Sequence, residues 1–181
     1  MFKSVALAAA VSVLVAAGAN AALVYPTSVI AADQNGTTVL PARSNTGAAL
    51  GPADGVFYSL GLGGSITFDF GQLVGGEGLI TEVTWGNVAS YPEYAQVLTS
   101  LNGKTWTPLT LSFNGVAVGG EALFSPTAFR YLTLRDVTSG SRGDGFDIDS
   151  VAFAPVPLPA AGLALASGLT GLATLRRRRR G

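Results

Sequence analysis

The chain has 181 residues, enough for one domain with flanking targeting segments, and it contains neither cysteine nor histidine. That excludes a disulfide framework, a thiol nucleophile, the Ser-His-Asp triad and a His-ligated zinc site. The formal charge of zero hides an uneven distribution: Lys3 stands near the start and five arginines near the end, while between them five basic residues meet eleven acidic ones, a net −6.

An acidic, lysine-poor middle is a poor match for nucleic acid, and it fits a surface outside the cytoplasm or one that takes up divalent cations. The first segment agrees with export. Met1-Phe2-Lys3 is a short basic start, Val5 to Ala17 is an apolar run of 13 residues, and Ala19-Asn20-Ala21 gives the small-x-small pattern of a signal-peptidase site. The run is short for a bilayer, which takes about 20 residues. Residues 1–21 therefore read as a secretory signal peptide, cleaved near Ala21 or Ala22.

From residue 22 to 155 helical periodicity is absent and Gly, Ser and Thr are frequent. Weak strands are expected near Leu23 to Ile30 and Val56 to Leu60. Ser65 to Phe70 alternates cleanly and turns Ile66, Phe68 and Phe70 to a core. Leu79 to Trp85 puts Leu79, Val83 and Trp85 on one face, and leaves Glu82 and Thr84 on a solvent face. Tyr91, Pro92 and Tyr94 cluster at a loop–strand junction. Exposed, Tyr91 and Tyr94 are candidates to stack on sugar rings. The alternative is that Tyr94 covers the sandwich edge and Tyr91 pins a turn.

Tyr94 to Leu101 and Trp106 to Phe113 flank Asn102-Gly103-Lys104, where Asn-Gly favours a type I′ hairpin turn. Trp106 reads as core. Phe129 to Val137 turns Leu132 and Leu134 inward. Phe146 to Phe153 is a last strand whose apolar parity switches between Ile148 and Val151, which predicts a bulge or an edge near Ser150. About eight short strands point to an all-β antiparallel sandwich. Asp144, Asp147 and Asp149 offer hard oxygen ligands for calcium, with Gly143 and Gly145 allowing a tight backbone. The competing reading is solvated loop and edge acids. Asp69, Glu82, Glu93 and Glu121 are available carboxylates, but no spacing pairs them for glycoside hydrolysis. No catalytic residue is assigned and the chain reads as non-enzymatic.

The last 26 residues run Val156-Pro157-Leu158-Pro159-Ala160, then an uncharged stretch to Leu175, then Arg176, Arg177, Arg178, Arg179, Arg180 and Gly181. Residues 160–175 form a transmembrane helix of about 24 Å at ~1.5 Å per residue. Five arginines stop transfer and hold the C-terminus in the cytoplasm, so the domain faces outward. Pro157 and Pro159 disfavour helix at Val156 and Leu158 and keep the motif extended.

This order of motif, helix and arginine cluster resembles the VPLPA-CTERM sorting domain, a variant of the PEP-CTERM signals, over residues 156–181. The resemblance implies a Gram-negative bacterium and an exosortase, a membrane-embedded cysteine transpeptidase that removes the tail. It further implies a place at the cell surface or in an exopolysaccharide matrix. Val156 to Ala160 would be a substrate site for that enzyme. In the domain, Gly63 to Gly71, Ser100 to Trp106, Arg130 to Leu134 and Asp144 to Val151 are together similar to discoidin-like, galactose-binding-type jelly rolls, which often carry carbohydrate-binding modules. The expectations are thus signal peptide 1–21, β-sandwich 22–155 and sorting signal 156–181. The protein is read as an exported surface or matrix component that binds carbohydrate. Its partners are signal peptidase, an exosortase, the membrane and an exopolysaccharide. The alternatives are a permanently anchored, periplasm-facing protein with an uncut helix, or a glycoside-acting enzyme.

Overall fold

The computed structural model describes residues 22–84, 88–115, 120–140 and 143–157. The expected signal peptide, Trp85, the expected motif from Leu158 on, the helix expected at 160–175 and the expected arginine stop lie outside the described residues. Among the described residues no helix is long and apolar enough to cross a membrane.

Seven strands are described: β1 Ser28–Asp33, β2 Tyr58–Ser59, β3 Ser65–Glu82, β4 Tyr94–Ser100, β5 Thr107–Phe113, β6 Glu121–Asp136 and β7 Asp147–Pro155. All their pairings are antiparallel. The long strands β3 and β6 each serve two layers. The first half of β3 pairs with β1 and with the second half of β6, which continues to β4 and β5. The second half of β3 pairs with the first half of β6 and with β7, which continues to β2. Folding one ladder over itself in this way makes a sandwich without a separate second sheet.

The bend in β3 lies in Gly71–Gly78. Gly71 and Gly76 adopt φ of 70° and 66°, a region that residues with a Cβ avoid, and the ladder shifts register there. This glycine-rich stretch reads as a loop in the sequence, which is why one strand of 18 residues was expected as two. Seven strands fall among the described residues, against about eight expected.

The core lies between the layers. Ile66, Phe68 and Phe70 of β3 and Leu132 and Leu134 of β6 are fully buried, as the alternation predicts. They meet Ile80, Val151 and Phe153 in one apolar cluster. Phe70, Phe129 and Phe153 pack edge to face, with ring centroids 4.9 to 6.2 Å apart. Between Leu79 and Glu82 the expected orientation is reversed. Ile80 faces the core and Leu79 is only partly buried, because β7 and β6 hold the strand with its even positions inward. Glu82 therefore follows Ile80 inward.

The expected hairpin forms as β4–β5, but its turn is not the two-residue type I′. Thr99 pairs with Thr107, and only Gly103 of the Asn-Gly pair has a positive φ, 70°. The Asn102 side chain instead accepts from Lys104 N and Thr105 N at 2.9 and 3.0 Å, which closes a longer loop. Trp106 sits at the end of that loop and is only partly buried, so it is not a core residue. The expected bulge in the last strand is present: Thr81 opposes Ser150 and Glu82 opposes Ile148, which leaves Asp149 as the extra residue.

Candidate functional site

One end of the sandwich is built by the start of β4, the end of β5, the end of β3 and the start of β7. Loops 88–93, 138–140 and 143–146 and the short 3-10 turn Pro41–Arg43 surround it. Here the described surface opens into two adjoining cavities. One, of about 200 Å³, is lined by Arg43, Thr84, Tyr91, Glu93, Asn114, Gly143, Asp144 and Asp147. The other, of about 350 Å³, is lined by Ser90, Tyr91, Pro92, Glu93, Thr138, Ser139 and Gly140. Tyr91 and Glu93 belong to both, so they form the ridge of a continuous groove.

Asn114 fixes that ridge. Its Nδ2 donates to Tyr91 O at 2.9 Å and to Glu93 Oε2 at 3.3 Å, and its Oδ1 accepts from Glu93 N at 3.0 Å. Asn114 is 5% exposed, so these bonds are shielded from competing water. Tyr91 is left 51% exposed at the mouth with its backbone held. Tyr94 goes elsewhere: its ring stacks on Phe113 at 4.8 Å and 19°, and it lines neither cavity. Of the two tyrosines, then, only Tyr91 faces the groove.

The floor is acidic. Arg43 Nη1 pairs with Asp144 Oδ2 at 2.7 Å, and its guanidinium lies 5.1 Å from the centre of the Phe57 ring. The Ser59 hydroxyl bonds Asp147 Oδ1 and lies 3.2 Å from Asp144 Oδ2. Gly145, with φ 77°, runs so close to Gly61 that a Cβ would stand 2.6 Å from Gly61 O, and this tight passage delivers Phe146 and Asp147 to the site. Burial pushes the Asp147 carboxyl up to about 7, and the neighbouring Asp144 adds to it. Burial likewise pushes Glu93 up to about 8, followed by repulsion from Asp147, Glu82, Asp144 and Asp136.

Glu82 stands behind the floor. Thr84 Oγ1 bonds Glu82 Oε2 and also reaches Asn114 O at 3.1 Å, while Glu82 Oε1 is sealed from solvent with no hydrogen-bond partner. Burial pushes the Glu82 carboxyl up to about 7. The expectation of an ordinary solvent face for Glu82 and Thr84 is therefore overturned by the inward register of β3.

The three aspartates do not converge. Asp144 and Asp147 share Ser59, whereas Asp149, displaced by the bulge, accepts from Asp54 N and Gly55 N at 3.1 and 2.9 Å and caps that loop. No group of three acidic side chains among the described residues is arranged to hold a metal ion. Calcium on Asp144, Asp147 and Asp149 together is not what this backbone builds. Arg43, Ser59 and Asn114 had no signal in the sequence: they come from three distant segments, and only the fold brings them to one place.

Val156 and Pro157 of the expected sorting motif lie far from the groove, just past β7. Val156 N donates to Leu73 O at 3.0 Å.

The sandwich is similar to several solved structures. A fragment named as a chitobiase from Bacteroides thetaiotaomicron matches with TM-score 0.54 at 14% identity, over 76% of this chain and 94% of that one. The module CBM32-3 from a family 31 glycoside hydrolase of Clostridium perfringens matches with TM-score 0.50 at 15% identity, over 71% of this chain and 90% of that one. CBM32-1 from a family 31 glycoside hydrolase of the same organism matches with TM-score 0.50 at 14% identity, over 72% and 96%. The fold is a CBM32-like β-sandwich. This agrees with the galactose-binding-type jelly roll expected from the sequence, and at such identities the likeness is one of fold. No protein-family model matches the chain, and no curated protein matches it in sequence.

Proposed function

We propose that this protein is an exported, non-enzymatic surface or matrix component that binds carbohydrate in the groove at the loop end of its sandwich. The observation that carries this is the half-exposed Tyr91, its backbone fixed by Asn114, on the wall of a groove of polar side chains in a carbohydrate-binding-module fold. A flat ring presents an apolar face to the C–H face of a sugar. Arg43 and the carboxyls on the cavity wall supply donors and acceptors for hydroxyls.

Catalysis is the weaker reading. Glu82 and Glu93 repel one another, as an acid pair would. Glu82 Oε1, however, is sealed from solvent and Glu82 does not line the cavity, so it has no path to deliver a proton to a bound sugar.

The tail reading is part of the same proposal. Signal peptidase removes residues 1–21. The segment at 160–175 then holds the chain in the inner membrane with the domain outward. An exosortase cuts at the Val156 to Ala160 motif and frees the domain to the cell surface or an exopolysaccharide.

Two measurements test it. The intact mass of the protein from its native host should lack the first 21 or so residues and the arginine tail. A mass that keeps Arg176 to Arg180 means a permanent anchor instead. On a glycan array the mature protein should bind, and Tyr91→Ala should weaken binding by roughly 1–3 kcal/mol per lost stacking contact. Binding that survives Tyr91→Ala unchanged moves the site elsewhere.

A further inference from the structure

The groove that the proposed function uses is out of charge balance. Glu93, Asp144 and Asp147 line it, and Glu82 and Asp136 stand close enough to repel Glu93. On its wall the one described basic side chain is Arg43, which is already engaged with Asp144. Asp147 is only 4% exposed, yet it lines the cavity, so a ligand there replaces little water around it.

Each kind of ligand meets this wall differently. Neutral hydroxyls can pair with the carboxyls, but they leave Glu93 and Asp147 holding the protons that burial keeps on them near neutral pH. A carboxylate or sulfate holds those protons more firmly still. An ammonium group supplies three donors and a positive charge, so it lets both carboxyls ionise and satisfies them as charged acceptors. The face of Tyr91 at the mouth attracts a cation as well as a sugar's apolar face.

We propose that the groove takes a glycan carrying an unsubstituted, protonated amine, an amino sugar without its N-acetyl group, in preference to N-acetylated and uronic-acid sugars. The inference rests on the glycan-binding reading of the groove. It assigns Glu93 and Asp147 as the residues that set the charge of the ligand. Tyr91 remains the platform that any sugar would use.

The test is calorimetric titration of the mature protein near pH 7 with three tetramers: β-1,4-linked glucosamine, its N-acetylated form, and galacturonate. The glucosamine tetramer should bind roughly tenfold or more tightly than the N-acetylated one, and galacturonate should bind weakest. Glu93→Gln and, separately, Asp147→Asn should collapse that ratio toward one, with melting curves confirming that each variant is folded. The ratio should also shrink as salt is raised. Equal affinity for the amine and N-acetyl forms overturns the inference while leaving carbohydrate binding intact. An unchanged ratio in both folded variants also overturns it. Calcium chloride that binds and displaces the amine would assign the carboxyls to a metal and overturn it. If neither the tetramers nor a broad glycan array bind at all, the proposed function falls with it.

Discussion

Burial and mutual repulsion make the carboxyls of the groove weak acids, and this ties the stability of the fold to pH. Glu93 rises from an ordinary 4.5 to about 8, Glu82 from 4.5 to about 7 and Asp147 from 3.8 to about 7. The folded state therefore holds protons that the unfolded chain releases above its ordinary carboxyl range. A raised pKa contributes stability that is complete below the unfolded value and is lost as pH rises through the folded one. The melting temperature should fall as pH rises from about 5 to about 8. Glu93→Gln should flatten that slope, because the amide stays neutral and can still accept from Asn114. Differential scanning calorimetry at several pH values checks this, and equal slopes in the two proteins would deny Glu93 its part. In the sequence, Glu93 appears only as one of several acids without a partner. What makes it a weak acid is burial first, and then the charges of Asp147, Glu82, Asp144 and Asp136 brought in from other strand ends, which no spacing reports. Glu82 was concealed differently. Its residue type, and an alternation that sets Leu79, Val83 and Trp85 on the other face, read as a solvent face shared with Thr84, and only the pairing of β3 with β7 turns it inward.

At the scale of elements, alternation was legible wherever one strand faces one core. Ile66, Phe68, Phe70, Leu132 and Leu134 were all readable, and so was the bulge, because apolar parity cannot switch within a ladder without an extra residue. The passage of β3 from one layer to the other was not legible, because its glycines look like a turn. Their function is partly steric. Gly78 lies under Phe153, and a Cβ there would stand 2.4 Å from the ring. Phe153 in turn closes the cluster with Phe70 and Phe129. Phe153→Ala should cost about 3–5 kcal/mol through lost burial and the cavity left behind. Gly78→Ala should cost about 1–3 kcal/mol by overpacking the same spot. Urea denaturation measures both. If Gly78→Ala were neutral, Phe153 would be free to move aside and the packing argument for the glycine would fail.

For the whole molecule, the two ends of the described chain matter most. Val24 and Phe153 exchange backbone hydrogen bonds at 2.8 and 3.0 Å, so the residue just after the expected signal-peptide site lies beside the last strand. Strand β7 starts at the groove with Asp147 and ends at Pro155. Its nine residues make eight steps of ~3.3 Å, about 26 Å end to end, which puts the groove and the chain ends at opposite ends of the domain. Under the sorting reading, a chain tethered by either end would point the groove away from the membrane. The same geometry leaves no linker before the motif. Pro155 still pairs with Val74, and Val156 N is bonded to Leu73 O at 3.0 Å, so the first motif residue belongs to the fold. A transpeptidase that grips an extended peptide has to release that bond before it can hold Val156. Under the sorting reading, a flexible Gly-Ser insert between Pro155 and Val156 should speed tail removal in the native host without changing export, as a pulse-chase of the intact and trimmed forms would read. Replacing Pro157 and Pro159 by alanine should act oppositely, since the motif would then be free to join the helix expected at 160–175. If the insert leaves the processing rate unchanged while the proline variant slows it, the clamp at Val156 is not what limits access. If neither alters the rate, the extended motif is not what the processing enzyme recognises.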